Sequence, residues 1–231
     1  PKVWSLIQKV LATRPRRVLF YGPPGTGKTQ AAVTQELRPG QESIIVTLTD
    51  ETPATDLLGR YTLKNEGDGR ATMVWQDGLA IMAWRKGARL VINEIDHGGP
   101  DVQSILHVIL DDPISARLTL PTGEQVTPHP EFQVIATMNG QPDTLPQALK
   151  DRFPCTIHVQ DIHPEALELL PTELRTLAKN SVKATDNSQR SIRVWLEFAS
   201  LADQLGVHAA AHATFGEDAG SILASLRVAG S

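Results

Sequence analysis

Short apolar runs recur along the chain, and most of them lack the alternation of a strand with one solvated face. They are rich in Val and Ile and lie at 17–21, 43–48, 89–93, 132–138 and 155–159. Strands buried on both faces have this pattern, which is typical of a parallel sheet covered by helices on both sides. Helical patterns alternate with the runs, at 28–37, 77–86, 101–110 and 145–150. The alternation predicts an α/β fold with a five-stranded parallel sheet.

Two segments interrupt this alternation with the pattern of β-hairpins. Residues 59–78 have a centre of Gly, Asp and Asn between two strand-like flanks, and residues 116–126 contain a Pro-Thr-Gly-Glu turn. The N-terminal segment lacks the apolar core of a signal peptide and predicts an amphipathic helix. The apolar face of that helix consists of Val3, Leu6, Ile7, Val10 and Leu11.

The strand patterns stop near Asp161. Helical patterns follow at 164–181, 191–206 and 217–229. We therefore predict two domains, an α/β body over residues 1–160 and a small helical lid over residues 161–231.

Composition and charge argue against only a few classes of function. The 231 residues carry a formal net charge of −4 and a pI of about 6.0, which argues mildly against a dedicated nucleic-acid binder. The single cysteine, Cys155, excludes an internal disulfide and fits a reducing compartment, so a cytoplasmic location is expected. No apolar run approaches the roughly 20 residues that a membrane-spanning helix needs.

The first predicted strand leads into a glycine-rich loop that ends in Lys28 and Thr29. The loop satisfies the pattern G-x-x-x-x-G-K-[ST], in which the backbone N–H groups of a tight turn surround a triphosphate. Glycine is needed because a Cβ would obstruct the turn. Lys28 is expected to reach the β- and γ-phosphates of ATP, and the Thr29 hydroxyl to bind Mg²⁺. The full set of predicted nucleotide-binding residues is Gly22, Pro23, Pro24, Gly25, Thr26, Gly27, Lys28 and Thr29, with Arg190 from the lid.

A polar cluster follows the strand at 89–93, at the sheet edge where open α/β sheets bind ligands. It contains Asn93, Glu94 and Asp96. Glu94 is placed to orient and deprotonate an attacking water, because water is a poor nucleophile until a base accepts its proton. Asn93 lies where an aspartate ordinarily supports Mg²⁺, so we expect weakened metal binding or slow turnover. Asp96 offers a carboxylate that compensates if it reaches the metal.

Two further residues are candidates for the reaction. Asn139 ends a predicted strand and is placed to hold the attacking water, although an Asn before Gly140 also suits a turn. Arg152 follows a short helical pattern and is a candidate arginine finger, offered to the nucleotide of an adjacent subunit. The neighbouring Asp151 leaves open a local surface ion pair instead.

The lid offers candidates of its own. Either Arg190 or Arg193 is placed to contact the γ-phosphate in the same subunit, and we favour Arg190. His208 and His212 have a spacing that can bind a metal on a helix, but no third ligand is evident. Two polar positions on a lid helix are the simpler interpretation.

Several segments carry a resemblance to a known family. Their order and spacing resemble those of AAA+ ATPases, and more narrowly the MoxR-like and dynein-related branch of the helix-2-insert group, to which magnesium-chelatase subunits are related. The segments for the superfamily are GPPGTGKT (22–29), LVINEID (90–96), VIATMNG (134–140) and ALKDRF (148–153). Those for the branch are TDETPATDLLGRY (49–61), WQDGLAIMAWRKG (75–87) and HPEFQVIATMN (129–139).

This resemblance implies a P-loop three-layer sandwich with strand order 5-1-4-3-2. It also implies a ring, usually a hexamer, with ATP and Mg²⁺ bound between subunits. It assigns residues 22–29 to Walker A, Asn93 and Glu94 to Walker B, Asn139 to sensor 1, Arg152 to the arginine finger and Arg190 to sensor 2. The two hairpins become the helix-2 insert and the pre-sensor-1 insertion, which face the pore or a partner.

Three functions follow as hypotheses. The leading one is a Mg²⁺-dependent ATPase of MoxR-like type, whose ring remodels or activates a protein client, often together with a von Willebrand factor A domain partner. The second is a nucleic-acid motor, which the acidic net charge and the Glu66, Asp68 and Glu124 near the hairpin turns disfavour. The third is a nucleotide-gated assembly module in which Asn93 makes hydrolysis vestigial.

Overall fold

The computed structural model describes residues 2–65, 67, 70–184 and 188–229. The chain packs as two compact units, which we describe separately. The sheet unit comprises residues 7–21 and 29–157, and the lid unit comprises residues 1–6, 22–28 and 158–231. The predicted domain boundary between residues 160 and 161 stays a prediction.

Strands and helices are numbered in chain order. The strands are β1 (Arg17–Gly22), β2 (Ser43–Thr47), β3 (Gly59–Asn65), β4 (Ala71–Asp77), β5 (Arg89–Asn93), β6 (Leu118–Thr119), β7 (Gln125–Val126), β8 (Gln133–Asn139) and β9 (Cys155–His158). The helices are α1 (Lys2–Ala12), α2 (Lys28–Thr34), α3 (Ala54–Leu58), α4 (Leu79–Lys86), α5 (Pro100–Ile109), α6 (Gln147–Lys150), α7 (Pro164–Glu168), α8 (Thr172–Lys183), α9 (Ile192–Leu205), α10 (Val207–Phe215) and α11 (Ala219–Ala229).

A five-stranded sheet with the order β2-β5-β8-β1-β9 forms the centre of the α/β fold. Counted along the chain among these five strands, the order from the opposite edge is 5-1-4-3-2. Strand β5 pairs in parallel with β2 and β8, so that Asn93 lies beside Thr47 and Arg89 beside Gln133. The predicted α/β class, with a parallel sheet and flanking helices, is confirmed.

The sheet unit buries its apolar runs as the pattern predicted. Val18, Leu19 and Phe20 of β1 are at most 1% exposed, and Trp84 of α4 is fully buried in the same unit. Helix α2 ends at Thr34, three residues before the predicted end, because the chain turns at Glu36 with a left-handed φ of 52°. Helix α4 ends at Lys86 and is capped by Gly87, whose left-handed conformation is a common helix stop.

Both predicted hairpins are present in the sheet unit. Strands β3 and β4 pair antiparallel with Tyr61 opposite Trp75, and β6 and β7 pair antiparallel with Leu118 opposite Val126. The turn residues Glu66 and Asp68 of the first hairpin lie outside the described residues.

The lid unit has helices where the sequence predicted them, divided more finely. The first helical pattern forms α7 and α8, because Pro171 begins a new helix after Leu170. Its core centres on Trp195, Phe198 and Phe215, whose ring centroids lie 5.1–6.3 Å apart. Over the described ranges, no helix is both long and apolar enough to cross a membrane.

Candidate functional site

The glycine-rich loop lies between β1 and α2, as predicted. Lys28 is 6% exposed, and its Nζ donates hydrogen bonds to the carbonyl oxygens of Gly22 (2.9 Å) and Pro23 (2.6 Å). The Thr26 hydroxyl donates to the Pro23 carbonyl at 3.3 Å. The Lys28 side chain therefore stabilises the curled conformation of the loop by binding backbone carbonyls at the start of the same loop.

The glycines of this loop are also required for packing inside the lid unit. Gly25 has φ +74°, and a Cβ there would lie 2.2 Å from the Cβ of Ser191. A Cβ on Gly27 would lie 3.1 Å from the Cβ of His163, whose backbone N–H donates to the Thr26 carbonyl at 2.9 Å. Sequence reasoning missed these contacts because they join segments more than 130 residues apart.

Three side-chain oxygens meet at the end of β5 in the sheet unit. The hydroxyls of Thr29 and Thr137 both donate to Asn93 Oδ1, at 2.6 and 2.7 Å. On the other side of the amide, Asn93 Nδ2 lies 3.5 Å from the Thr47 hydroxyl. The predicted metal-binding pair Thr29 and Asn93 is thus in direct contact, with Thr137 completing an uncharged cluster.

Glu94 adopts a backbone conformation that is rare for its residue type. Its φ and ψ are 57° and 53°, in the left-handed region, where L-residues other than Asn, Asp and Gly are uncommon. Its Oε1 lies 3.5 Å from Nδ2 of Asn139, at the limit of a hydrogen bond. Strained residues of this kind cluster at functional sites, so the geometry supports a chemical role for Glu94.

Asp96 lies in the 3₁₀ turn Ile95–His97, and its side chain lies near that of His97. Its nearest ionic partner is Nε2 of His97, at 3.9 Å. Its Oδ1 is buried and has no hydrogen-bond partner among the residues that the structure describes. The suggestion that Asp96 compensates for Asn93 stays a prediction.

The guanidinium of Arg152 donates hydrogen bonds to backbone carbonyls of the sheet unit, to which Arg152 itself belongs. Nε donates to the His107 carbonyl (3.1 Å) and Nη1 to the Ala148 carbonyl (2.7 Å). Within the described chain Asp151 forms no ion pair with Arg152 and accepts a hydrogen bond from Gln147 at 2.7 Å. A role in trans would use the remaining nitrogen or break one of these bonds.

The two lid arginines differ in their surroundings. Arg190 forms an ion pair with Asp218, and its Nη1 donates to the Gln189 carbonyl at 2.9 Å. Arg193 is exposed in the first turn of α9, two residues after the Ser191 that contacts Gly25. The choice between them as sensor 2 stays a prediction.

The donor set near Asn93 fits a magnesium ion that is bound mainly by a nucleotide. Mg²⁺ prefers oxygen ligands and commonly combines one or two protein oxygens with phosphate oxygens and water. The Thr29 hydroxyl oxygen meets this requirement, and Asn93 Oδ1, which accepts hydrogen bonds from Thr29 and Thr137, positions that hydroxyl without adding negative charge. Over the described residues, no group of three His, Cys, Asp or Glu side chains forms a separate metal site.

Two arginines that sequence reasoning missed organise the sheet unit. Arg85 forms a bidentate ion pair with Glu124 (2.7 Å for both bonds) and a third bond to Asp77 (2.7 Å), which also accepts from Trp75. Arg85 thereby links the two hairpins. Arg89 is 1% exposed, and burial lowers its pKa to about 10.

The glycine-rich loop and the parallel α/β sheet together define a P-loop nucleotide-binding protein. The family described as AAA domain (dynein-related subfamily) matches residues 17–153, more than half of the chain. The chain belongs to this family. The predicted AAA+ membership is therefore confirmed, and nucleotide binding follows from it.

Two curated relatives and one solved structure are similar to this chain over part of their own length. Midasin of Dictyostelium discoideum is 33% identical over 170 residues, which are 71% of this chain and 3% of Midasin. An uncharacterized protein of Staphylococcus haemolyticus is 38% identical over 149 residues, 63% of this chain and 56% of that protein. A solved structure from Cytophaga hutchinsonii aligns over 87% of this chain and 58% of that one, at 20% identity and a TM-score of 0.49. The chain thus spans little more than half of the bacterial relative and a small part of Midasin.

Proposed function

We propose that this chain is the ATP-hydrolysing module of a MoxR-like ring that remodels or activates a protein client. Membership of the AAA family supports nucleotide binding. The observation that carries the step to hydrolysis is the left-handed Glu94, whose carboxylate lies 3.5 Å from the Asn139 amide at the end of the neighbouring strand. A carboxylate base and a neutral hydrogen-bonding group at this distance can together hold a water molecule and accept its proton.

Each residue has a defined role in this proposal. Residues 22–28 surround the phosphates with backbone N–H groups, and Lys28 exchanges its two carbonyl partners for phosphate oxygens. Thr29 would hold Mg²⁺ through its hydroxyl oxygen, with Asn93 positioning that hydroxyl, and the metal would neutralise phosphate charge. Glu94 accepts a proton from the water that Asn139 helps to hold, and Arg152 stabilises the transferring phosphoryl group in the next subunit.

Asn93 limits the expected rate. An aspartate at this position would contribute a negative charge to the metal site, whereas the cluster of Thr29, Asn93 and Thr137 is neutral. We therefore propose that the chain binds the nucleotide with ordinary affinity and hydrolyses it slowly. The same observation supports a second candidate function, a nucleotide-gated assembly module with vestigial hydrolysis.

A ring with a protein partner is the proposed working form. The hairpins β3–β4 and β6–β7 are the proposed contact elements, and exposed Leu63 (72%) and Met73 (66%) provide apolar surface on the first. A nucleic-acid motor is disfavoured by the net charge of −4. The proposed von Willebrand factor A domain partner rests on the resemblance alone, and the proposed cytoplasmic location rests on the single cysteine, Cys155.

Phosphate release by a set of point variants tests the proposal. We expect Glu94→Gln to bind ATP like the wild type and to lose about 10²–10⁴-fold in turnover, the usual contribution of a general base. Asn93→Asp should raise turnover, and Lys28→Ala should lose ATP affinity. Asp101→Asn is the matched control, because Asp101 is an exposed carboxylate in the first turn of α5 whose loss should change little.

The outcomes separate the candidate functions. Equal, near-background rates for wild type and Glu94→Gln, with intact ATP binding, would favour the assembly module. No ATP binding by the wild type would refute both. Stimulation by DNA at low salt, rather than by a protein partner, would favour the motor.

A further inference from the structure

Asn93 raises a question of orientation that an aspartate would not. A carboxylate accepts hydrogen bonds through either oxygen, whereas an amide presents an acceptor on one side and two donors on the other. The Asn93 side chain therefore has two possible orientations, in which either Oδ1 or Nδ2 faces Thr29. In the structure the oxygen faces both Thr29 and Thr137, and the nitrogen faces Thr47.

Thr137 favours one of these two orientations because its hydroxyl is buried beside the amide. It is 1% exposed on β8, and its hydroxyl donates to Asn93 Oδ1 at 2.7 Å. In the reversed orientation Nδ2 would point at Thr137, whose proton would then lack this acceptor in the described part of the chain. A buried donor without a partner is costly, so Thr137 favours the orientation with the oxygen inward.

The orientation matters for Thr29. A hydroxyl has one proton and two lone pairs. When Thr29 donates its proton to Asn93 Oδ1, its oxygen keeps lone pairs for a cation. With the amide reversed, Thr29 would accept a hydrogen bond from Nδ2, and that bond would compete with Mg²⁺ for the same oxygen.

We infer that Thr137 is a positioning residue, which fixes the Asn93 amide with its oxygen toward Thr29 and so keeps the Thr29 hydroxyl available to Mg²⁺. The part concerning Mg²⁺ rests on the proposed function, but the part concerning amide orientation does not. This role compensates in part for the missing carboxylate at residue 93.

Substitution at Thr137 tests both parts. Thr137→Val keeps the shape and removes the hydroxyl, and Thr137→Ser restores it. Thr47→Val is the matched control, since Thr47 has the same residue type, lies on the adjacent strand β2 and contacts only the far end of the amide, at 3.5 Å. The readouts are the ¹H–¹⁵N signals of the Asn93 side-chain amide, assigned by their loss in Asn93→Asp, and the Mg²⁺ concentration for half-maximal binding of a non-hydrolysable ATP analogue.

We expect Thr137→Val to shift or broaden the Asn93 amide signals and to raise the half-saturating Mg²⁺ concentration about five-fold, the factor for one ordinary hydrogen bond. Thr137→Ser should restore both values, and Thr47→Val should leave both near wild type. Binding of the analogue without Mg²⁺ should be the same in all variants.

Two results would overturn the inference. Unchanged amide signals in Thr137→Val would show that Thr137 does not orient Asn93, whatever the nucleotide does. Equal loss of binding with and without Mg²⁺ would show a merely structural role. If the wild type itself needs no Mg²⁺, the metal role in the proposed function fails, and the amide signals still decide whether Thr137 orients Asn93.

Discussion

The contact between Gly25 and Ser191 gives a prediction with a matched control. Gly25→Ala places a Cβ 2.2 Å from the Cβ and 2.7 Å from the Cα of Ser191, at a residue with φ +74°. Gly40→Ala places one at φ +75° with no atom within 4 Å. The two variants share the backbone strain and differ in the clash.

The magnitudes follow from these two terms. An L-residue in the left-handed region costs about 1–2 kcal/mol, and this applies to both variants. Forcing an extra methyl into a packed site costs a further 1–3 kcal/mol, roughly, and this applies to Gly25 alone because the opposing atoms are next to the backbone. We therefore expect losses of about 1–2 kcal/mol for Gly40→Ala and about 2–5 kcal/mol for Gly25→Ala.

Thermal unfolding by calorimetry measures the difference. For a chain of this size, 1 kcal/mol corresponds to about 2–4 °C in the melting temperature. Gly25→Ala should therefore melt several degrees below Gly40→Ala. Adding Ser191→Gly to the Gly25→Ala variant should recover part of the loss because it removes the opposing Cβ. Equal melting temperatures for the two alanine variants would refute the packing of Ser191 against the loop.

Three further perturbations test other contacts. Glu94→Asn puts a residue that tolerates the left-handed region at φ 57°, so we expect a gain of roughly 0.5–1 kcal/mol in unfolding free energy with hydrolysis at background; a lower melting temperature would contradict the strain. Glu124→Gln removes the charge of one of the two carboxylate partners of Arg85, and Asp77 remains. Because the hydrogen bond from Arg85 lowers the pKa of Glu124 below its ordinary value of 4.5, the stabilisation is present above that value and is lost as the pH falls through the lowered folded pKa. The melting difference from wild type should therefore shrink on acidification, and a pH-independent difference would count against the ion pair. Arg89→Met leaves the Gln133 side chain and three backbone carbonyls without their donor, so we expect a loss of about 2–4 kcal/mol in urea titrations; a loss below about 1 kcal/mol would show that relief of desolvation cancels it.

The sequence by itself determined the elements and their class. Apolar runs such as 17–21 and 89–93 predict buried strands because the hydrophobic period reports which faces a segment buries. The glycine-rich loop was evident because its pattern is local, within residues 22–29. Asn93 was recognised as a departure from the usual aspartate for the same reason.

Tertiary structure alone decided how these residues are used. Thr137 reaches Asn93 because β8 is adjacent to β5 in parallel register, and Ser191 blocks Gly25 because α9 begins beside the loop within the lid unit. The left-handed Glu94 is likewise imposed by its surroundings, since its residue type disfavours that conformation. Hydrophobic periodicity records the burial of each segment, whereas the partner of a given side chain depends on strand order, register and the packing of segments distant in the chain.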